Sequence, residues 1–137
     1  MSGPYIFRRA VRFDEVDAAG FVFFPRVIGL AHEALERMLG DALPEGYARW
    51  VRDQRVGLPC VHVAGDFSGP LRFGDDVMVE TLVAKFGATS VAFEVTVRRG
   101  DGATCARIDY VVACADLDGP KKRPLPDDLR TALEQYA

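Results

Sequence analysis

Between Arg12 and Leu35 the chain reads RFDEVDAAGFVFFPRVIGLAHEAL. Two carboxylates, Asp14 and Asp17, precede a turn of small residues ending at Gly20, and an aromatic pair, Phe23 and Phe24, leads into Pro25. Proline suits the first position of a helix, where its missing N–H would be unbonded anyway. The leading N–H groups of a helix lack intrahelical partners and carry a positive partial charge, and Ser, Thr, Asp or Asn usually caps them. Neither Phe23 nor Phe24 can accept from them, so the spacing predicts a helix start left open to a ligand oxygen. With Asp17 nearby, its carboxylate would attack an acyl carbon or activate a water, while N–H groups of Phe24, Arg26 or Val27 stabilise the developing oxyanion. That constellation performs acyl transfer. The competing reading is structural: Asp14 and Asp17 bond the N–H groups of their own turn, as Asp commonly does.

The elements that must hold this turn follow from periodicity. Residues 5–13 alternate imperfectly and fit a first strand. Val27, Ala31, Ala34, Leu35 and Met38 recur at helical spacing from Pro25 to about Leu39, with Gly40 the expected end. A short second helix is expected within 44–54. Alternation then replaces the helical period over 61–67, 77–84, 91–98 and 103–114, each read as a strand. The glycines of RGDG, 99–102, predict a tight hairpin joining the last two. A C-terminal helix is expected over 125–136, with Asp127 and Asp128 near its positive end. One strand, a long helix and an antiparallel meander make an α+β arrangement whose helix buries its apolar stripe on one face of a curved sheet.

At 137 residues, 49% hydrophobic and 27% charged, the chain suits a single domain over 1–137 around one core. A net charge of −3 supplies no basic field for nucleic acid. No segment reaches the ~20 apolar residues of a membrane span, and no basic stretch followed by an apolar run opens the chain. A cytoplasmic protein without nucleic-acid or membrane partners is expected. Cys60, Cys105 and Cys114 lack metal-site spacing and are expected to be buried and reduced.

DEVDAAGFVFFPRV resembles the signature of the 4-hydroxybenzoyl-CoA thioesterase branch of the hotdog superfamily, in which an aspartate, a small residue, Ala-Gly, an apolar pair, an aromatic pair and Pro follow one another. FSGPLRFGDDVMVETLVAKFGATSVAFEVTV is similar to the later strands of that family, and together the two stretches cover roughly 7–114. The resemblance implies a hotdog fold and a thioesterase acting on an acyl-CoA, an aromatic or short acyl group being expected. It places the catalytic carboxylate on Asp17, the carbonyl-polarising backbone donor on Phe24 and the turn glycine on Gly20, with Phe23, Pro25 and His32 at the substrate. Whether Asp17 acts as nucleophile or general base stays open. The family's 4-hydroxybenzoyl member has Tyr where Phe24 stands, and an acid that recognises the substrate hydroxyl where His32 stands. His32 could bond a polar acyl substituent or sit satisfied on the helix surface.

No cofactor is implied, coenzyme A being part of the substrate. Arg72, Arg98, Arg99 and Lys121 to Arg123 are candidates for its phosphates, though such a residue is more often a solvated surface charge. His62, Glu33 and Glu36 are weaker candidates for catalysis. Hotdog domains of this kind resemble obligate dimers joined sheet edge to sheet edge, so a homodimer, paired into a homotetramer, is expected. The alternatives are a dehydratase or hydratase of β-hydroxyacyl thioesters, against which the absence of a His beside the Asp17 turn argues, an acyl-carrier-protein thioesterase, and a non-catalytic acyl-thioester-binding protein.

Overall fold

The computed structural model describes residues 3–137. The chain forms β1 (Tyr5–Ala10), a short 3-10 turn (Phe13–Glu15), α1 (Phe24–Ala42), α2 (Tyr47–Gln54), β2 (Val56–Gly57), β3 (Cys60–Phe67), β4 (Asp76–Phe86), β5 (Ser90–Arg99), β6 (Thr104–Ala113), β7 (Ala115–Asp116) and α3 (Asp127–Glu134). Five strands make one antiparallel sheet in the order β1-β4-β5-β6-β3, and β2 pairs with β7 in a small second ribbon.

The α+β hotdog arrangement is observed: α1 lies along the sheet. Leu30, Ala31, Ala34, Met38 and Leu39 are buried against Val77, Val79, Val91, Phe93, Val95 and Val97 of the central strands. Burying a Val, Leu or Phe side chain contributes about 1.5–3 kcal/mol, so this stripe fixes where the start of α1 lies. Leu129 and Leu133 of α3 extend the core, and Trp50 of α2 donates its indole N–H to Asp128 at 2.8 Å.

Several boundaries differ from expectation. The helix begins one residue earlier, at Phe24, which puts Pro25 second rather than first, and it runs past Gly40 to Ala42. Leu39 and Leu43 are both buried, and their packing outweighs the weak helix propensity of glycine. The strands are not a simple meander: β4, β5 and β6 are, but β3 lies beyond β6 and β1 beyond β4. The link from β3 to β4, residues 68–75, therefore crosses the end of the sheet beside the Asp17 turn. Cys105 and Cys114 are buried as free thiols, whereas Cys60 is exposed, because β3 is an edge strand with all 8 residues exposed. Among the described residues no helix is long and apolar enough to cross a membrane.

Candidate active site

Asp17 opens a four-residue reversal. Gly20 N–H donates to Asp17 C=O at 3.0 Å, Asp17 N–H donates to Phe21 C=O at 2.9 Å, and Val16 bridges Val22. Gly20 has a φ of +86°, a conformation that suits glycine, so its type at this point is dictated by the turn. The side chain of Asp17 accepts from Ala19 N–H at 2.9 Å through Oδ1. The structural and the chemical readings of this residue are therefore compatible: one oxygen is anchored in the turn, and Oδ2 has no partner among the described residues. Asp14 differs, since its exposed carboxylate pairs with Arg26 at 3.8 Å.

The same hairpin delivers the chain into α1. Phe23 N–H donates to Glu15 C=O at 3.0 Å, and Val22 N–H to Leu71 C=O at 2.8 Å. No side chain caps α1. Of the three expected oxyanion donors, Phe24, Arg26 and Val27, Arg26 N–H is taken by Phe23 C=O at 2.7 Å and Val27 N–H bonds no backbone group outside α1 among the described residues, while Pro25 between them has none to give. Phe24 N–H, the first of the helix, has no partner among the described residues. The site thus offers a carboxylate oxygen and a backbone N–H at the positive end of a 19-residue helix.

Ring contacts at the start of α1 and a hydrogen bond further along it join the helix to β3 and β6. Phe24 is 58% exposed, packs on Phe23 at 5.6 Å and meets Phe67, the last residue of β3, at 5.9 Å between ring centroids. A Cβ on Gly65 would lie 3.1 Å from the Phe67 ring, so the missing side chain makes room for that ring. Further along α1, His32 places Nδ1 3.0 Å from the Tyr110 hydroxyl of β6. His32 is thus exposed on α1 beside Tyr110, with no bond to Asp17. Phe67 and Tyr110 were not evident from sequence; both follow only once β3 and β6 are known to be neighbours beside α1.

Behind the turn sits an ion cluster. Arg9 of β1 bonds Glu15 at 2.7 Å through Nη1 and Glu33 of α1 at 3.1 Å through Nε. Glu15 also accepts from Arg12 N–H at 2.8 Å, and these partners hold its carboxyl below the usual range against the opposing effect of burial. Glu33 is thereby committed to structure. His62 is exposed on β3, and Glu36 is exposed on α1. Among the phosphate candidates, Arg98 pairs with Glu80, Arg99 with Asp101 and Arg123 with Asp116. Arg72 alone borders the turn, its guanidinium 4.9 Å over the Phe21 ring.

The thioesterase-like superfamily model matches residues 11–133. A 1,4-dihydroxy-2-naphthoyl-CoA hydrolase of Nostoc punctiforme is 32% identical over 132 residues, covering 95% of this chain and 86% of that protein. The crystal structure of a 1,4-dihydroxy-2-naphthoyl-CoA thioesterase from Synechocystis superposes with a TM-score of 0.86 at 26% identity, covering 96% of each chain. That of a gentisyl-coenzyme A thioesterase gives 0.82 at 25% identity, covering 93% of this chain and 98% of the other. The open helix start beside an anchored aspartate thus occurs in a chain that belongs to the thioesterase-like superfamily.

Proposed function

We propose that the protein hydrolyses the thioester of a hydroxylated aromatic acyl-coenzyme A to the free acid and coenzyme A. The enzyme is a thioester hydrolase. The observation that carries this reading is one hairpin that bears Asp17, with one carboxylate oxygen unbonded, and leads into the unpartnered Phe24 N–H at the start of α1; this reading sets the acyl group in a groove along α1 beside Phe24 and Phe67. Relatives named for dihydroxynaphthoyl-CoA and gentisyl-CoA support an aromatic, hydroxylated acyl group.

In this reading the thioester carbonyl accepts from Phe24 N–H, which stabilises the oxyanion as the carbon becomes tetrahedral. Asp17 then acts in one of two ways. As nucleophile it bonds the acyl carbon, the C–S bond breaks, the thiolate of coenzyme A leaves, and water opens the resulting anhydride. As general base it takes a proton from the water that attacks directly. Neither route uses a cofactor. Gly20 supports the turn, Phe23, Phe24, Pro25 and Phe67 enclose the acyl group, and His32 faces its far end. Arg72, whose guanidinium stands over Phe21 of the turn, is the cation this reading assigns to the phosphates of coenzyme A.

The working assembly is a dimer through β3, paired further into a tetramer. All 8 residues of β3 are exposed, Val61, Val63 and Phe67 among them, and one edge of the strand has no partner in the protomer. Antiparallel pairing with a second copy would continue the sheet and close the groove.

Release of free thiol from benzoyl-, hydroxybenzoyl-, dihydroxynaphthoyl-, phenylacetyl- and straight-chain acyl-CoA tests the proposal. The hydroxylated aromatics are expected to give the highest kcat/KM, and Asp17→Asn to lower it by ~10²- to 10⁴-fold while Asp14→Asn has little effect. Near-parental turnover by Asp17→Asn refutes the role of Asp17. Tight binding without thiol release marks a thioester-binding protein instead, and faster release from an acylated carrier protein marks a carrier thioesterase.

A further inference from the structure

We propose that Tyr110 is a positioning residue for substrate choice: its hydroxyl fixes the His32 imidazole in the tautomer protonated at Nε2, so that the groove offers an N–H to an oxygen borne by the acyl group. This inference rests on the reading of the groove as the acyl site. His32 lies eight residues beyond Phe24 on α1, a separation of about 12 Å at the rise of an α-helix. Helical side chains lean towards the helix N-terminus, which brings the imidazole back over part of that distance. The gap accommodates an aromatic system between the polarised carbonyl and the imidazole. A two- or three-carbon acyl chain bound at Phe24 would not reach His32.

The direction of the hydrogen bond follows from the neighbours of Tyr110. The residue is 7% exposed and sits mid-strand on β6, paired with Val63 of β3 and Phe93 of β5, so the sheet sets its position. Burial first, with the Cys60 thiol and Tyr47 adding to it, pushes its hydroxyl up to about 12. At neutral pH it keeps its proton and can donate. The Cys60 sulfur, whose own weak donor points to the carbonyl of His62 at 3.4 Å, is a second group within reach of the Tyr110 hydroxyl, but sulfur accepts weakly and an imidazole nitrogen well, so the proton goes to His32 Nδ1 at 3.0 Å. An imidazole that accepts at Nδ1 carries its hydrogen on Nε2. No side chain among the described residues bonds Nε2. The other tautomer would set a nitrogen lone pair against the oxygen of the acyl group.

The chain has two histidines, so nitrogen-15 spectra of the imidazoles are simple to assign, with His62→Gln removing the second set of signals. Wild-type His32 is expected to show a pyridine-like Nδ1 and a pyrrole-like Nε2, and Tyr110→Phe a mixture of tautomers. In the same variant the ratio of kcat/KM for 4-hydroxybenzoyl-CoA to that for benzoyl-CoA is expected to fall about twofold, the factor set by a donor tautomer populated about half the time. His32→Leu, which removes the donor, should lower the ratio about tenfold, the scale of one neutral hydrogen bond, with no further fall in the double variant. A wild-type His32 protonated at Nδ1 overturns the proposal, as does an unchanged ratio in Tyr110→Phe. Absence of turnover on every thioester would overturn the hydrolase reading instead, and the tautomer spectrum would still decide where the proton sits.

Discussion

The two roles proposed for Phe24 can be separated by mutagenesis, since one belongs to its ring and the other to its backbone. Phe24→Ala removes the ring from Phe67 and keeps the N–H. Phe24→Pro removes both, and proline is tolerated at the first helical position. Phe23, at φ −61° and ψ 127°, already has the backbone conformation that precedes proline. The proline variant is therefore expected to fold and to lose a further ~10²- to 10³-fold in kcat relative to Phe24→Ala, the usual effect of deleting one oxyanion donor. Equal kcat in the two variants, measured on the best thioester, would remove the N–H from the mechanism. Gly20→Ala meets no atom within 4 Å, so its cost is backbone strain alone, about 1 kcal/mol in urea unfolding. At this scale Asp17, Gly20, Phe23 and Phe24 were readable because turns and helix starts are written in adjacent residues. Tyr110 was not: it belongs to β6 and reaches His32 only through the packing of strand on helix.

Arg9 joins three elements, β1, the turn at Phe13–Glu15 and α1, by forking its guanidinium between Glu15 and Glu33. The side chains of Arg9 and Glu15 are 11% and 7% exposed, so removing one partner leaves the other charge poorly solvated. Arg9→Met is expected to cost about 3–5 kcal/mol by urea denaturation. The pH dependence follows from the lowered ionisation of Glu15 in the folded state. A depressed carboxyl contributes stability above its unfolded value, near about 4.3, and loses it as pH falls through the lower folded value. Stability should thus decline on acidification below that range, and less steeply in Glu15→Gln. Thr81 of β4 is fully buried, and its hydroxyl has no partner among the described residues. Thr81→Val should raise stability by about 1 kcal/mol, and a lower melting temperature would show that the hydroxyl is satisfied. The type of each long element could be read from its period, helical for α1 and alternating for β3 to β6. Strand order could not, because alternation says which face is buried and not which strand lies alongside; hence β3 beside β6 came as a correction.

For the molecule as a whole the open question for experiment is the free edge of β3. Sedimentation at micromolar concentration is expected to show a dimer or tetramer, and Val63→Glu, a charge on an edge residue 41% exposed in the protomer, to shift it to monomer with loss of turnover. A monomeric parent protein would refute the pairing.

That edge has a further consequence. Not one side chain of β3 is buried in the protomer, so the strand is held to the rest chiefly by its backbone bonds to β6 and sits at the low end of local stability. In the proposed dimer β3, the strand that meets Phe24 through Phe67, is then the part that opens first when copies separate. Amide hydrogens of residues 60–67 should exchange faster on dilution while those of β4 and β5 stay protected, and specific activity should fall before any loss of ellipticity. The amount of protein, as well as its sequence, would set how much of it works.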